Sequence, residues 1–220
     1  MPDRGTNRYN GEQMIERDWI CLDLLKTRGW ESRDRDDDVL DSDARFLAWA
    51  RSQGILSAAD ARALRRADGK TIWPDDVVAS VRDLRLLLHR MFTDVAENRL
   101  PRPDDLSALE AVLADAGERR ALVRTADGRL AWGWRSTAKV PADLPPDRRA
   151  AAAGARILGA VARSAADLLT GGELDRVKVC DAHDCGWFFV DVSRNKSRRW
   201  CDMAGCGNRD KARRYRARHA

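Results

Sequence analysis

Four of the five cysteines in this 220-residue chain fall into one pattern, Cys180-x4-Cys185-x15-Cys201-x4-Cys206. Two close pairs separated by a loop let four sulfurs converge on a single tetrahedral ion. Thiolates are soft ligands, and four of them leave no open coordination position, which suits a structural Zn²⁺. An iron–sulfur centre and a pair of disulfides are the competing readings. The regular pairing in so short a module favours zinc over a cluster. The polar start MPDRGTNRYNGEQ lacks an apolar signal core and argues against disulfides, so the expected location is cytoplasmic. His183 lies inside the first loop and could replace a cysteine, but with four cysteines present it reads as a surface residue.

Charge is distributed unevenly around this constellation. Residues 176–220 hold 12 Lys and Arg against 5 Asp and Glu, a formal +7, and the remainder of the chain carries −2. Four thiolates with one Zn²⁺ would lower the tail to about +5. That is still strongly cationic for so short a segment and points to a polyanionic partner, nucleic acid above all. A basic face that only aids solubility is the bland alternative.

The rest of the chain has the material for a core, with 44% hydrophobic residues. No run approaches the roughly 20 apolar residues that would span a bilayer, and no membrane association is expected. Residues 1–11 read as a loose arm and residues 12–28 as a helix around Trp19, Ile20, Leu22, Leu24 and Leu25. Ser32–Asp38 reads as a charged loop. Asp41 or Ser42 can cap a helix carrying Phe46, Leu47 and Trp49 that stops at Gly54, and Ser57 with Asp60 has capping-box spacing. After Pro74, the residues Val77, Val81, Leu84, Leu88, Met91 and Val95 recur at helical spacing and predict about six turns ending before Pro101. Two alternating runs flank Asp127-Gly128 and predict a β-hairpin. Val140–Asp147 is a Pro-rich turn. A further helix runs to about Thr170 and is closed by Gly171-Gly172. The expected fold is therefore a mainly α body with a small β-hairpin (α+β), residues 1–172, followed by a treble-clef-like zinc finger, residues 173–220.

Within the tail, Arg176–Val179 reads as a strand entering the first cysteine pair and Gly186–Val190 as a strand leaving it. Ser193–Ser197 is a polar turn, Arg198–Trp200 returns toward the ion, and the chain is helical after Cys206. A helix start at the second pair would stabilise thiolate charge, and metal binding would supply much of the folding free energy. Two basic surfaces result. Arg209, Arg213 and Arg216 follow i, i+4, i+7 on the last helix, and Lys211, Arg214 and Arg218 follow i, i+3, i+7. The turn adds Arg194, Lys196, Arg198 and Arg199. These ten side chains are candidates to neutralise phosphates, giving affinity but no sequence information. Trp187 and Trp200 could stack on bases, although covering the metal is the simpler role for them.

The run from Cys180 to His219 resembles the CGNR zinc finger. The naming motif stands at Cys206-Gly207-Asn208-Arg209, and SRRWC stands at Ser197–Cys201. Upstream, Cys21–Thr27 (CLDLLKT) resembles the opening motif of the ABATE domain, with Lys26 in place of the usual asparagine. Phe46–Ala50 with Gly54–Leu56 resembles the next helix of that domain. The resemblance implies that Cys180, Cys185, Cys201 and Cys206 are the metal ligands, that the finger binds DNA, and that the chain takes part in stress-induced transcription regulation.

The leading functional reading is a nucleic-acid-binding, transcription-regulatory protein whose partner is DNA or RNA. The alternative is an enzyme with a small-molecule pocket in the N-terminal domain, its finger recruiting RNA or another anionic substrate. Asp23, His89, Trp132 and Trp134 are the candidates to line such a pocket, with Asp75 and Asp76 as further acids. They form no recognised catalytic set, and there is no Gly-rich phosphate loop and no H-E-x-x-H. His89 beside the apolar stripe reads first as a packing histidine, and Cys21 as a buried structural cysteine. A protein-interaction scaffold with an acidic protein partner is the third reading. Oligomeric state is not legible.

Overall fold

The computed structural model describes residues 19–30, 37–65, 73–124, 127–136 and 144–219. The N-terminal arm, most of the charged loop Ser32–Asp38 and the first part of the Pro-rich turn lie outside the described residues.

The helices form where the apolar periodicity and the caps place them. Helix α1 (Ile20–Leu25) buries Cys21, Leu22, Leu24 and Leu25. Helix α2 (Asp43–Ser52) starts at Ser42, whose hydroxyl accepts from the Arg45 N–H, and the chain turns away through Gly54 at φ +69°, a left-handed conformation suited to glycine. Helix α3 (Ala58–Ala63) carries the full capping box. The Asp60 N–H donates to Ser57 Oγ at 3.1 Å and the Ser57 N–H to Asp60 Oδ2 at 2.8 Å, which satisfies two otherwise orphaned donors.

Helix α4 (Asp75–Ala96) buries the whole stripe foreseen for it, from Val77 to Val95, and adds Leu87 and Phe92. Helix α5 (Pro103–Asp115) was not foreseen. It has Pro103 in its first turn, acidic Asp104 and Asp105 beside it, and Leu109 in the core, which are start signals of the ordinary kind. Strands β1 (Glu118–Arg124) and β2 (Leu130–Ser136) form the antiparallel hairpin, pairing Leu122 with Trp132 and Arg120 with Trp134. Helix α6 (Pro146–Thr170) ends at Gly171.

Helices α1, α4 and α6 meet at the centre of the molecule, with α5 and α3 against α6. Small residues make the close approach possible. A Cβ placed on Gly154 of α6 would lie 2.6 Å from Cγ1 of Val77 on α4, so only glycine lets the two helices approach this closely.

One charge sits inside this apolar packing. Arg85 on α4 is 2% exposed. Its guanidinium donates to Thr27 Oγ1 at 2.9 Å and to both carboxylate oxygens of Asp38, at 2.7 Å for Oδ1. Asp38 is thus buried rather than part of a solvated charged loop. Burial works to raise its carboxyl, and the bonds from Arg85 and from the Leu40 N–H outweigh that and hold it below the usual range.

The tail adds strands β3 (Val177–Val179) and β4 (Phe188–Val190), which pair antiparallel, and helix α7 (Asn208–His219). Alternation along β4 splits its side chains between two neighbourhoods. Phe188 and Val190, with Val177, join the main apolar core, and Phe189 joins a second cluster around the cysteines. Strand β3 packs on α4 and β4 on α1. The architecture is mainly helical with a small hairpin, followed by a zinc-finger-like tail.

Candidate metal centre

Each cysteine is placed by a local backbone device. The Cys180 N–H donates to the Trp187 carbonyl at 2.9 Å, closing the β3–β4 ladder over the first pair, and the Cys185 N–H donates to the Ala182 carbonyl at 3.1 Å. Gly186 follows at φ +66°, where a side chain would be strained. Cys206 is carried by a π-helical turn, Met203–Gly207, leading into α7. Asp202 caps that turn by accepting from the Ala204 and Gly205 N–H groups at 3.1 and 2.6 Å. Asn208 Nδ2 donates to the Ala204 carbonyl at 3.0 Å. The Asp181 N–H donates to the Arg199 carbonyl at 2.9 Å and ties the two pairs together.

The four sulfurs of Cys180, Cys185, Cys201 and Cys206 all lie within 4.8 Å of one another. Cys201 Sγ is 3.7 Å from Cys185 Sγ and 3.6 Å from Cys206 Sγ. Four sulfurs at about 2.3 Å from a tetrahedral zinc stand about 3.8 Å apart, so the donor set fits that ion in type, number and spacing. No disulfide links these cysteines. The group is a candidate metal site by its geometry.

Hydrogen-bond donors reach two of the sulfurs. The Cys201 N–H donates to Cys180 Sγ at 3.4 Å. Thiol donation from Cys185 and Cys201 pulls Cys180 down to about 2, and Cys185 is pushed up to about 12 by the same contact. Arg209 of the CGNR motif donates to Cys206 Sγ at 3.2 Å and stands 3.5 Å from Asp184. Burial opposes the Arg209 charge, while the Cys206 sulfur and Asp184 raise its pKa. Trp187, Trp200 and Phe189 pack around the cysteines, so both tryptophans cover the site as the simpler reading held. Trp187 Nε1 also donates to the Arg28 carbonyl of the body at 3.1 Å.

The ten basic candidates do not form one uniform surface. Arg198 is spent inside the finger. Its Nε donates to the Trp200 carbonyl at 2.9 Å, its Nη2 to the Cys201 carbonyl, and its guanidinium lies 5.2 Å from the Phe189 ring centre. Lys196 pairs with Asp175, and Arg199 with Asp181 at 2.7 Å. Arg213 and Arg214 both reach the buried Asp210, at 3.1 and 2.7 Å. Arg216 and Arg218 donate to carbonyls of their own helix at 3.4 and 3.3 Å. Arg194 and Lys211 form no ion pair among the described residues. All of residues 211–219 are exposed.

Of the pocket candidates, the side chains of Asp23 and His89 are among the described residues. His89 packs against Trp30, with ring centroids 3.8 Å apart and planes tilted by 32°, and stands edge-on to Phe188 at 5.3 Å, the packing role foreseen for it. Asp23 pairs with Lys26 at 2.7 Å, so the lysine at the usual asparagine position has an acidic neighbour in its own motif. The side chains of Trp132 and Trp134 lie outside the described residues. Cys21 is fully buried, and burial pushes its thiol up to about 12, which removes it as a nucleophile.

Sequence reasoning missed Asp191. It is 0% exposed and accepts from Lys178 Nζ at 2.7 Å, the Ser193 N–H at 2.9 Å, Ser193 Oγ at 2.5 Å and the Arg198 N–H at 2.8 Å. These bonds shape the loop between β4 and the second cysteine pair. An Asp two residues before a Ser, the Asx-turn spacing, was the available signal.

Residues 176–219 match the family described as "CGNR zinc finger", and residues 18–172 match ABATE, described as "Putative stress-induced transcription regulator". No curated protein matches the chain. Together with the four clustered sulfurs, the two matches point to a regulatory, metal-binding protein. Among the described residues no helix is long and apolar enough to cross a membrane.

Proposed function

The chain belongs to the ABATE family and carries a CGNR zinc finger after that domain, and on this premise we propose that it is a cytoplasmic nucleic-acid-binding regulator. In this reading residues 1–172 are the regulatory body and residues 173–220 the binding module. Cys180, Cys185, Cys201 and Cys206 hold one Zn²⁺. The ion is structural, because four thiolates leave it no site for substrate. Its work is to fix the base of α7 against the finger.

The observation that carries the reading is the charge left outside once the finger's own ion pairs are counted. The exposed length of α7 presents Lys211, Arg213, Arg214, Arg216 and Arg218 with no acid beyond Asp210. Such a helix gains from neutralising phosphates and releasing their counterions.

The test is binding of the full zinc-loaded chain to duplex DNA and to structured RNA across a salt series. Affinity falls steeply with salt. Lys211→Glu with Arg216→Glu weakens it at least tenfold without loss of metal, since neither side chain has an acidic partner among the described residues. Binding to neither nucleic acid, or binding insensitive to both salt and these substitutions, overturns the reading.

A further inference from the structure

Helix α7 is built to lie in a groove, and its side chains say which one. At about 100° per residue, its cations fall on two opposite sides. Arg209, Arg213 and Arg216 lie within about 60° of one another, and Lys211, Arg214 and Arg218 form a second stripe about 180° away. The two stripes are separated by two narrow edges. One edge carries Asp210, whose side chain is 2% exposed against the finger. The other, diametrically opposite, carries Ala212, Tyr215 and His219 and faces outward. Tyr215 is 60% exposed. Its ring stacks on His219 with centroids 4.1 Å apart and planes 25° apart, and His219 Nδ1 lies 2.8 Å from the Tyr215 carbonyl. The ridge opposite Asp210 is thus a partly aromatic strip, without Lys, Arg, Asp or Glu, between two cationic stripes.

This pattern excludes some polyanions. A lipid surface needs an apolar face on the helix, and α7 offers only two alanines and a tyrosine. A helix gripping phosphate from one side needs its charge on one side. Two stripes separated by an outward neutral ridge fit a channel with phosphates on both walls and neutral groups on its floor. The major groove of B-form DNA is such a channel. It is about 12 Å wide and admits a helix of about 10–12 Å diameter. The major groove of A-form RNA is too deep and narrow for side chains to read.

We propose that α7 enters the major groove of duplex DNA with Tyr215 and His219 toward the base edges, and with Arg216 on one phosphate backbone and Lys211 and Arg218 on the other, while Arg213 and Arg214 stay turned toward Asp210 at the back of the helix. This rests on the reading of the chain as nucleic-acid-binding and adds the groove and the base-facing residues. Arg209 is reserved for Cys206 and lies at the finger end of its stripe. Ala212 leaves the ridge low enough for its neighbours to approach the floor, and its methyl can contact a thymine methyl.

The experiment compares one sequence pool as DNA duplex, RNA duplex and single strand with the full zinc-loaded chain, and then selects preferred duplexes from a random pool. DNA duplex binds at least tenfold more tightly than RNA duplex or single strand. Arg216→Gln lowers the slope of log affinity against log salt by about one, and Lys211→Gln with Arg218→Gln lowers it by about two. Tyr215→Ala changes the selected sequence and leaves that slope unchanged. Metal content and helical circular dichroism confirm that each variant is folded. Preference for RNA or single strand, a slope that responds to only one stripe, or a selected sequence that is absent or indifferent to Tyr215→Ala overturns the groove assignment and leaves nucleic-acid binding standing. Binding to none of the three overturns both.

Discussion

The ring of Phe188 stands edge-on to His89 with centroids 5.3 Å apart, so a residue three positions beyond a cysteine packs on the long helix of the body. Phe188 is 1% exposed and also meets Phe92. Val177 and Val190 enter the same core, and Trp187 bonds the Arg28 carbonyl. The finger is small and would have little interior of its own. It completes its packing with the body's, and the body's core is closed in turn by the finger.

Metal removal therefore reaches beyond the tail. Stripping the ion frees the backbone around Cys185 and with it the strand that carries Phe188. Hydrogen exchange at amides of α4 near His89 should accelerate on chelation and recover when zinc is restored. Phe188→Ala should cost about 3–4 kcal/mol of unfolding free energy in the metal-loaded chain, read by denaturant titration. Unchanged α4 protection after complete chelation would mean that the two parts are independent.

That shared core marks the limit of what the sequence could reveal. The helix over Asp75–Ala96, the hairpin about Asp127-Gly128 and the cysteine spacing are legible because each is a local pattern. Periodicity, turn chemistry and ligand spacing are all written within a few tens of residues. Alternation along Phe188-Phe189-Val190 says that two faces are apolar, but not that one faces cysteines and the other faces α4. Arg85 and Asp38 lie 47 positions apart, and nothing local in either marks it as buried. The ten basic residues were equivalent as a list. Only their partners separate Arg198 and Arg209, which hold the finger, from Arg213 and Arg214, which share the buried Asp210, and from Lys211 and Arg216, which have no acidic partner among the described residues.

Arg209 connects the CGNR motif to the proposed metal site. Its donation to Cys206 Sγ places positive charge beside a thiolate and orients that sulfur. Partners of this kind typically change metal affinity by 10–100-fold when removed. Arg209→Ala should weaken zinc binding by about that factor, measured by competition with a chromophoric chelator, and Arg209→Lys should restore part of it. Equal affinity in parent and Arg209→Ala would reduce the contact to a surface pair.

The buried Arg85–Asp38 pair should be more costly to break than to replace. Asp38→Ala leaves a guanidinium with one remaining side-chain partner, Thr27, in an apolar core. Removing one partner of a buried pair costs about 3–5 kcal/mol. Arg85→Met combined with Asp38→Leu should recover much of that loss, because no charge is then left unpaired. A double variant less stable than Asp38→Ala would show that the pair contributes more than charge compensation.

At Gly154 the close approach of α6 to α4 gives a prediction of the opposite kind. An added Cβ meets Val77 at 2.6 Å, and Val77 is a short, buried side chain with nowhere to swing. In an open helix Gly→Ala would stabilise by up to about 1 kcal/mol. Here Gly154→Ala should instead destabilise by about 1–3 kcal/mol, and Val77→Ala should relieve it in the double variant. A stabilising Gly154→Ala would mean that the helices separate freely.

Asp191 ties loop shape to pH. Burial acts to raise its carboxyl, but the bonds from Lys178, Ser193 and the Arg198 N–H prevail and hold it at about 2, against an ordinary 3.8. A carboxyl depressed by that amount contributes about 2.5 kcal/mol to folding. The contribution is complete above the unfolded value of 3.8 and is lost as pH falls toward 2. It is therefore constant across neutral pH, and any loss of stability between pH 7 and 5 must come from other groups, the cysteine ligands first among them. Asp191→Asn should cost about 2–3 kcal/mol at pH 7, with the loop amides of residues 193–198 the first to lose protection. In the parent, the carbon resonance of the Asp191 carboxyl should still report the ionised form at pH 3. A midpoint near 3.8, or a loss under about 0.5 kcal/mol in the variant, would mean that these bonds do not organise the loop.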